Sequence, residues 1–171
     1  AGPAGAGPFS TGGAVLSRRD PHSHADLDQG RVTSLDLDLT VDFAASRIRG
    51  RAELQLAAPV TGPLDLDSRD LEITAVTAGG QDVDWELGDR DDVLGSCLRL
   101  DLPAGTTSVV VEYATSPEAS ALQWLEPAQT AGGEHPYLFS QCQAIHARSV
   151  IPCQDSPLAR FTFHARVTVP E

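Results

Sequence analysis

The chain has 171 residues, of which 41% are hydrophobic and 21% are charged. This length and composition predict one globular domain with a hydrophobic core of its own. The formal net charge of −12 argues against a nucleic acid partner, because phosphate groups would repel this surface. The chain also contains no apolar run long enough to span a bilayer, so we expect a soluble domain without a membrane partner.

The first residues differ in composition from the rest of the chain. The opening stretch AGPAGAGPFSTGGA is rich in Gly, Pro and Ala, and it lacks the basic start and apolar run of a secretory signal peptide. We therefore predict a flexible tail over residues 1–25 and one domain over residues 26–171. A cytoplasmic location is expected, with secretion as the alternative.

Period-two alternation predicts β-strands after this tail. In LDLDLTVDF, leucine and valine alternate with polar residues that include Asp36 and Asp38, as in a strand with one buried face. After AASR, a second run alternates with Arg47, Arg49 and Arg51. The two runs predict an antiparallel hairpin with acidic residues opposite basic ones. The carboxylates are interpreted as a solvated face rather than as paired catalytic groups.

Shorter alternating units continue to the end of the chain. Turn residues at 61–63, 79–80 and 103–105 separate these units. Many short strands without a helical pattern predict an all-β fold, a β-sandwich of mostly antiparallel strands.

Residues 120–157 interrupt the pattern with SALQWLEPAQTAGGEHPYLFSQCQAIHARSVIPCQDSP. In an extended stretch, Gln141 and Gln143 would point to the same side. Two primary amides offer donors and acceptors without charge, which suits a peptide main chain or amino terminus better than a metal. The alternative is that the two amides bond to neighbouring loop backbone.

The cysteines and His146 form no recognisable metal or catalytic motif. Cys97, Cys142 and Cys153 lack the CxxC spacing, and no HExxH, Gly-x-Ser-x-Gly or phosphate loop occurs. Free thiols are favoured, with a Cys142–Cys153 disulfide as the alternative. A structural His146 is favoured over a metal ligand, and a cysteine nucleophile with His146 as its base is a weaker hypothesis.

Residues 120–157 closely resemble the amino-terminal domain of zinc aminopeptidases of the HExxH gluzincin family, the group of leukotriene-A4 hydrolase and its bacterial aminopeptidase relatives. The similarity extends from DPHSHAD through LDLDLTVDF and LDLDSRDLEI to VTVPE. The resemblance implies a saddle-like β-domain packed against a thermolysin-like catalytic domain. It also implies that the cleft contacts the amino terminus of a peptide through Gln141, Cys142 and Gln143.

The resemblance further implies roles for residues that support this cleft segment. His146 and Arg148 would brace it, while Tyr137 and Phe139 would pack behind the strand. Without the catalytic domain, apolar surface around Tyr137, Leu138 and Phe139 should be exposed.

The same resemblance implies a zinc ion in the complete enzyme, whose ligands lie outside this chain. We therefore expect no catalytic residue and no metal ligand here, and an isolated chain without activity. The complete enzyme would remove N-terminal amino acids from peptides, with epoxide hydrolysis as a side activity. The alternative is a stand-alone, non-catalytic β-sandwich interaction module.

Overall fold

The structure is a computed structural model that describes residues 20–171. Its strands, in chain order, are β1 (Val32–Asp42), β2 (Arg47–Ser68), β3 (Glu72–Ala78), β4 (Gln81–Asp82), β5 (Trp85–Leu87), β6 (Ser96–Ala114), β7 (Leu122–Leu125), β8 (Tyr137–Ser140) and β9 (Thr162–Thr168). Two short 3₁₀ helices span Pro127–Gln129 and Ala147–Ser149. The fold is all-β, as predicted.

The strands form one large sheet and one small one. The large sheet has the order β4-β3-β6-β2-β1-β9, and β5 also pairs with β6. Its pairs are antiparallel except β1 with β9, which is parallel. The small sheet is the β7–β8 hairpin, and it packs against the core through Leu122, Trp124 and Leu138. The result is the open, sandwich-like arrangement that the sequence predicts.

The hairpin of acidic and basic strands is confirmed. Strand β1 pairs antiparallel with residues 47–56 of β2, and Asp38 lies opposite Arg51 while Asp42 lies opposite Arg47. Cross-strand pairs of opposite charge stabilise such a hairpin on its solvent-facing side. The alternate positions of the same strands point into the core.

Two of the predicted turns are wrong. Residues 61–63 lie within β2 and residues 103–105 within β6, which are 22 and 19 residues long. The pairing register shifts near Val60, and Gly62 and Gly105 adopt φ angles of 87° and 78°. These glycines allow an irregular, bulged pairing that bends two long strands without ending them. The predicted turn at residues 79–80 does separate β3 from β4.

Aliphatic side chains fill the core between the sheet faces. The fully buried leucines come mostly from the two long central strands, β2 and β6: Leu54, Leu64, Leu66, Leu98 and Leu100. Burial of each contributes about 1.5–3 kcal/mol relative to leaving it exposed. This continuous core makes β2 and β6 the rigid base on which residues 120–157 lie.

Residues 20–25, the described part of the predicted tail, are hydrogen-bonded to the domain. The Ser23 hydroxyl and the His24 N–H donate to the Asp67 carboxylate at 2.5 and 2.7 Å. The Ser156 hydroxyl donates to Asp20 at 2.7 Å. The remainder of the predicted tail, residues 1–19, lies outside the described residues. Across residues 20–171, no helix has the length and apolar character needed to cross a membrane.

Candidate functional site

The segment that follows β8 forms a turn anchored at both ends, and we call residues 141–146 the glutamine turn. Strand β8 ends at Ser140, and the N–H of Gln141 donates to the carbonyl of Ala121 at 2.9 Å. The N–H of His146 donates back to the carbonyl of Cys142, also at 2.9 Å. The start of the turn is therefore hydrogen-bonded to Ala121, the residue that precedes β7, and its end is hydrogen-bonded to its own second residue, Cys142.

The glutamines adopt a different geometry from the predicted extended pair. Gln143 lies in the turn, and its N–H donates to the side-chain oxygen of Gln141 at 2.9 Å. Gln141, Cys142 and Gln143 are all exposed, and the Gln143–Ala144 peptide bond is cis. Bonding to neighbouring backbone thus accounts for the Gln141 oxygen. The Gln143 side-chain amide bonds to no residue in the described part of the chain and faces solvent.

Arg148 connects residues 120–157 to the large sheet. Its guanidinium is fully buried and donates to the Asp155 carboxylate at 3.0 Å and to the carbonyls of Leu94 and His22 at 2.9 and 2.8 Å. It also lies 3.3 Å from the carboxylate of Asp67. These contacts tie together four segments that are distant in sequence, at residues 22, 67, 94 and 148–155.

Asp67 is itself fully buried in this network. Burial raises the pKa of its carboxyl, while the hydrogen bonds from Ser23 and His24 and the charge of Arg148 oppose that rise. The carboxyl also accepts from the N–H of Asp155 at 2.9 Å. Asp67 therefore links the start of the described chain, β2 and the end of residues 120–157.

His146 contacts two residues that the sequence pattern did not single out. Its Nδ1 lies 2.8 Å from the Ser120 hydroxyl and 3.2 Å from an Nη of Arg69. Its carbonyl accepts the Ser149 hydroxyl hydrogen at 2.8 Å. Ser120 and Arg69 precede His146 by 26 and 77 residues, so no local spacing motif could have revealed this contact.

The expectation that Tyr137 and Phe139 pack behind the strand is wrong. Leu138 is the residue of β8 that packs against the core, and because side chains alternate along a strand, its two neighbours face outward. Tyr137 is 57% exposed and Phe139 is 48% exposed. The exposed apolar surface expected around these residues is therefore present.

The cysteines have neither a disulfide nor the character of nucleophiles. Cys97, Cys142 and Cys153 are free thiols. Partial desolvation of the Cys142 sulfur and the charge of Asp155 raise its pKa, although the residue as a whole is exposed. Burial raises the pKa of Cys97 to about 12 and that of Cys153 well above its ordinary value. The reactive form is the thiolate, and Nδ1 of His146 contacts Ser120 and Arg69 rather than a thiol, so the structure does not support a cysteine hydrolase.

The residues that the structure describes offer no zinc site. No group of three or more His, Cys, Asp or Glu side chains within residues 20–171 is arranged to hold a metal ion. Three or four such ligands are what zinc needs in a protein. The residues described here therefore do not fit a zinc ion.

Comparisons with known proteins identify the family. The model of the peptidase M1 N-terminal domain matches residues 31–171. Leukotriene A-4 hydrolase of Xenopus laevis is 42% identical over 159 residues, which are 89% of this chain and 26% of that protein. Leucine aminopeptidase 2 of Chaetomium globosum is 39% identical over 153 residues, 85% of this chain and 25% of that protein.

Solved structures agree with the sequence comparisons. The structure of yeast LTA4 hydrolase in complex with bestatin superposes with a TM-score of 0.83 at 33% identity, over 91% of this chain and 25% of that one. An M1 zinc metallopeptidase of Deinococcus radiodurans shares the fold, with a TM-score of 0.61. This chain thus spans about a quarter of the length of the first relatives it matches. The resemblance noted in residues 120–157 is confirmed, and the chain belongs to the peptidase M1 N-terminal domain family.

Proposed function

We propose that this domain forms one wall of the peptide-binding cleft of a zinc aminopeptidase and that the glutamine turn holds the amino terminus of the peptide. The observation that carries the proposal is the exposed, unbonded amide of Gln143 on a turn whose two ends are fixed. Because the backbone of the turn is already ordered, binding does not have to pay for ordering it, and only the Gln143 side chain loses freedom. Family membership and the similarity to aminopeptidases support the reaction class.

The chemistry of the turn suits a peptide end. The side-chain oxygen of Gln143 can accept from the α-ammonium group of a substrate, and its NH₂ can donate to the first carbonyl. The Gln141 oxygen is occupied by the Gln143 N–H, so Gln141 contributes its NH₂. The carbonyl of Cys142 accepts the His146 N–H, so Cys142 contributes its own N–H to the wall.

A catalytic domain of the same protein is the proposed partner of this wall. Tyr137 and Phe139 expose apolar surface beside the turn, and Phe163 on the edge strand β9 is 70% exposed. Apolar side chains exposed to this extent are typical of a surface that another part of the protein covers. Zinc, with its Lewis-acid chemistry, would belong to that catalytic domain.

Epoxide hydrolysis as a side activity is part of the same proposal. It is supported by the 42% identity to a leukotriene A-4 hydrolase. The neutral amides of the glutamine turn would then face an epoxide substrate as well as a peptide. Assaying one preparation of the longer protein with both substrates tests this part of the proposal.

Substitution of Gln143 tests the proposal in the longer protein that carries this domain. Gln143→Ala removes the amide without touching the core, and we expect kcat/KM on aminoacyl substrates to fall about tenfold or more, since hydrogen bonds to charged groups contribute roughly 1.5–3 kcal/mol. Gln81→Ala on β4 is the matched control, because it removes an exposed glutamine from another part of the sheet. Kinetics of Gln143→Ala equal to those of the control would remove the turn from substrate binding.

A further inference from the structure

Two arginines are buried in the described part of the chain, and they are bonded in opposite ways. Arg148 forms ion pairs with Asp67 and Asp155. Arg69 is only 8% exposed, yet it forms no ion pair with any residue from 20 to 171, and its Nε has no hydrogen-bond partner there. Since a buried guanidinium is normally paired with a carboxylate, the contacts that Arg69 does make require an explanation.

The Arg69 side chain forms its hydrogen bonds with a hydroxyl and an imidazole instead of a carboxylate. One Nη donates to the Ser120 hydroxyl and to Nδ1 of His146, both at 3.2 Å, and the Ser120 oxygen lies 2.8 Å from the same Nδ1. The N–H of Arg69 donates to the carbonyl of Arg148 at 2.9 Å. Arg69 is thereby attached to the same buried network that Arg148 forms with the sheet.

The contact with Arg69 favours one tautomer of His146. Because a guanidinium only donates hydrogen bonds, the 3.2 Å contact is a hydrogen bond when Nδ1 accepts and the ring hydrogen lies on Nε2. The Ser120 hydroxyl can accept from Arg69 and donate to Nδ1, which aligns the three groups in one donor-to-acceptor chain. The contacts therefore fit the tautomer of His146 that carries its ring hydrogen on Nε2.

The cluster is connected to both ends of the glutamine turn. The N–H of His146 closes the turn on the carbonyl of Cys142. Ser120 is covalently bonded to Ala121, whose carbonyl accepts the N–H of Gln141 and whose N–H donates to the Ser149 hydroxyl at 3.0 Å. The Ser120–His146 contact thus bridges the two anchors.

We infer that Arg69, Ser120 and His146 are positioning residues that lock the glutamine turn against the sheet through the Nδ1 atom of His146. None of the three is assigned to touch the substrate. Their effect on catalysis rests on the proposed function, whereas their effect on the turn does not. The inference therefore allows a structural test and a kinetic test that can fail separately.

The structural test uses NMR spectroscopy on the 171-residue chain. The ring nitrogens of His146 should show the tautomer with hydrogen on Nε2. His146→Leu should speed hydrogen exchange of the backbone amide at position 146 about tenfold, as expected for local opening. His146→Asn should largely restore protection, because its side-chain oxygen can occupy the place of Nδ1. His164→Leu, at an exposed histidine of β9, is the control.

Hydrogen exchange of the backbone amide of Leu54, a core residue, distinguishes local opening of the turn from global destabilisation. If its exchange accelerates as much as that of the turn, the variant is globally destabilised, and Ser120→Ala then provides the local test because Ser120 is exposed. An unchanged turn in both His146→Leu and Ser120→Ala overturns the inference. An imidazole with hydrogen on Nδ1 overturns it as well.

The kinetic test compares His146→Leu with Gln143→Ala in the longer protein. We expect His146→Leu to raise KM about threefold to tenfold with kcat less affected, because a loosened turn binds the peptide end less well. If only Gln143→Ala impairs activity, the positioning role is overturned while the proposed function stands. If the turn loosens and neither variant alters the kinetics, the proposed function fails and the structural lock stands.

Discussion

The large sheet and the glutamine turn are stabilised by different kinds of interaction. The sheet is held by fully buried leucines on paired strands, such as Leu54 and Leu98. The turn exposes four consecutive residues, 141–144, and is held at its end by the contacts of His146 with Arg69 and Ser120, while Arg148 bonds the residues that follow it to the sheet. Apolar burial needs a covered surface, so it cannot fix a loop that must stay accessible. Buried polar groups beneath the loop can fix it and leave its outer side free.

Removing Arg148 should have the largest effect on the buried polar network. We expect Arg148→Ala to lower the free energy of unfolding by about 3–5 kcal/mol, because it leaves the buried carboxylate of Asp67 without its cation. Urea denaturation followed by circular dichroism measures the change. Arg166→Ala is the control, since that side chain is 75% exposed and its contact with Asp38 is long. If both variants have the same stability, the polar network contributes less than the geometry indicates.

A substitution inside the large sheet should lower the stability of the sheet without selectively loosening the glutamine turn. Gly50 lies opposite Tyr113 in the β2–β6 pairing, and a Cβ at position 50 would overlap the tyrosine ring. We expect Gly50→Ala to cost about 1–3 kcal/mol in unfolding free energy, as overpacking usually does. The double variant Gly50→Ala, Tyr113→Leu should recover part of this loss.

Hydrogen exchange then decides whether the two regions are independent. In Gly50→Ala, amides of β2 and β6 should exchange faster, while the turn amides at Gln143 and His146 should change only to the extent of the global loss. Selective loosening of the turn by Gly50→Ala would show that the sheet and the turn are coupled more tightly than their separate contacts imply.

The sequence predicts much of the large sheet but not the contacts that support the glutamine turn. The β1–β2 hairpin follows from period-two alternation alone, because alternation states which side of each strand is buried. Gly62 and Gly105 lie in strands rather than in turns. Glycine with a proline one or two residues away occurs in both turns and bulges, and only the pairing partner distinguishes them.

The supports of the turn were beyond sequence reasoning for a different reason. The glutamines and His146 stand out in the sequence, but Arg69 looks like any arginine at the end of a strand. Its contact with His146 spans 77 residues and depends on where β2 ends relative to β7. Tyr137 was also beyond sequence reasoning, although it is close in sequence. Three consecutive apolar residues in β8 do not show which of them faces the core, and in the structure it is Leu138.

Thiol alkylation should distinguish the exposed glutamine turn from the buried polar network beside it. Cys142 is exposed in the turn, whereas Cys153 is buried beside Asp67 and bonded to it through both backbone groups. The pKa of Cys142 is raised above that of an ordinary thiol, so we expect slow reaction with iodoacetamide at neutral pH and faster reaction in more alkaline solution. Intact mass should show one adduct first, and peptide mapping should place it on Cys142. Cys153 should react only in denaturant, because its modification requires opening of the network around Asp67 and Arg148. Equal rates for the two thiols in the native protein would mean that this network opens as readily as the turn, and the distinction between an accessible loop and a rigid support beneath it would then be lost.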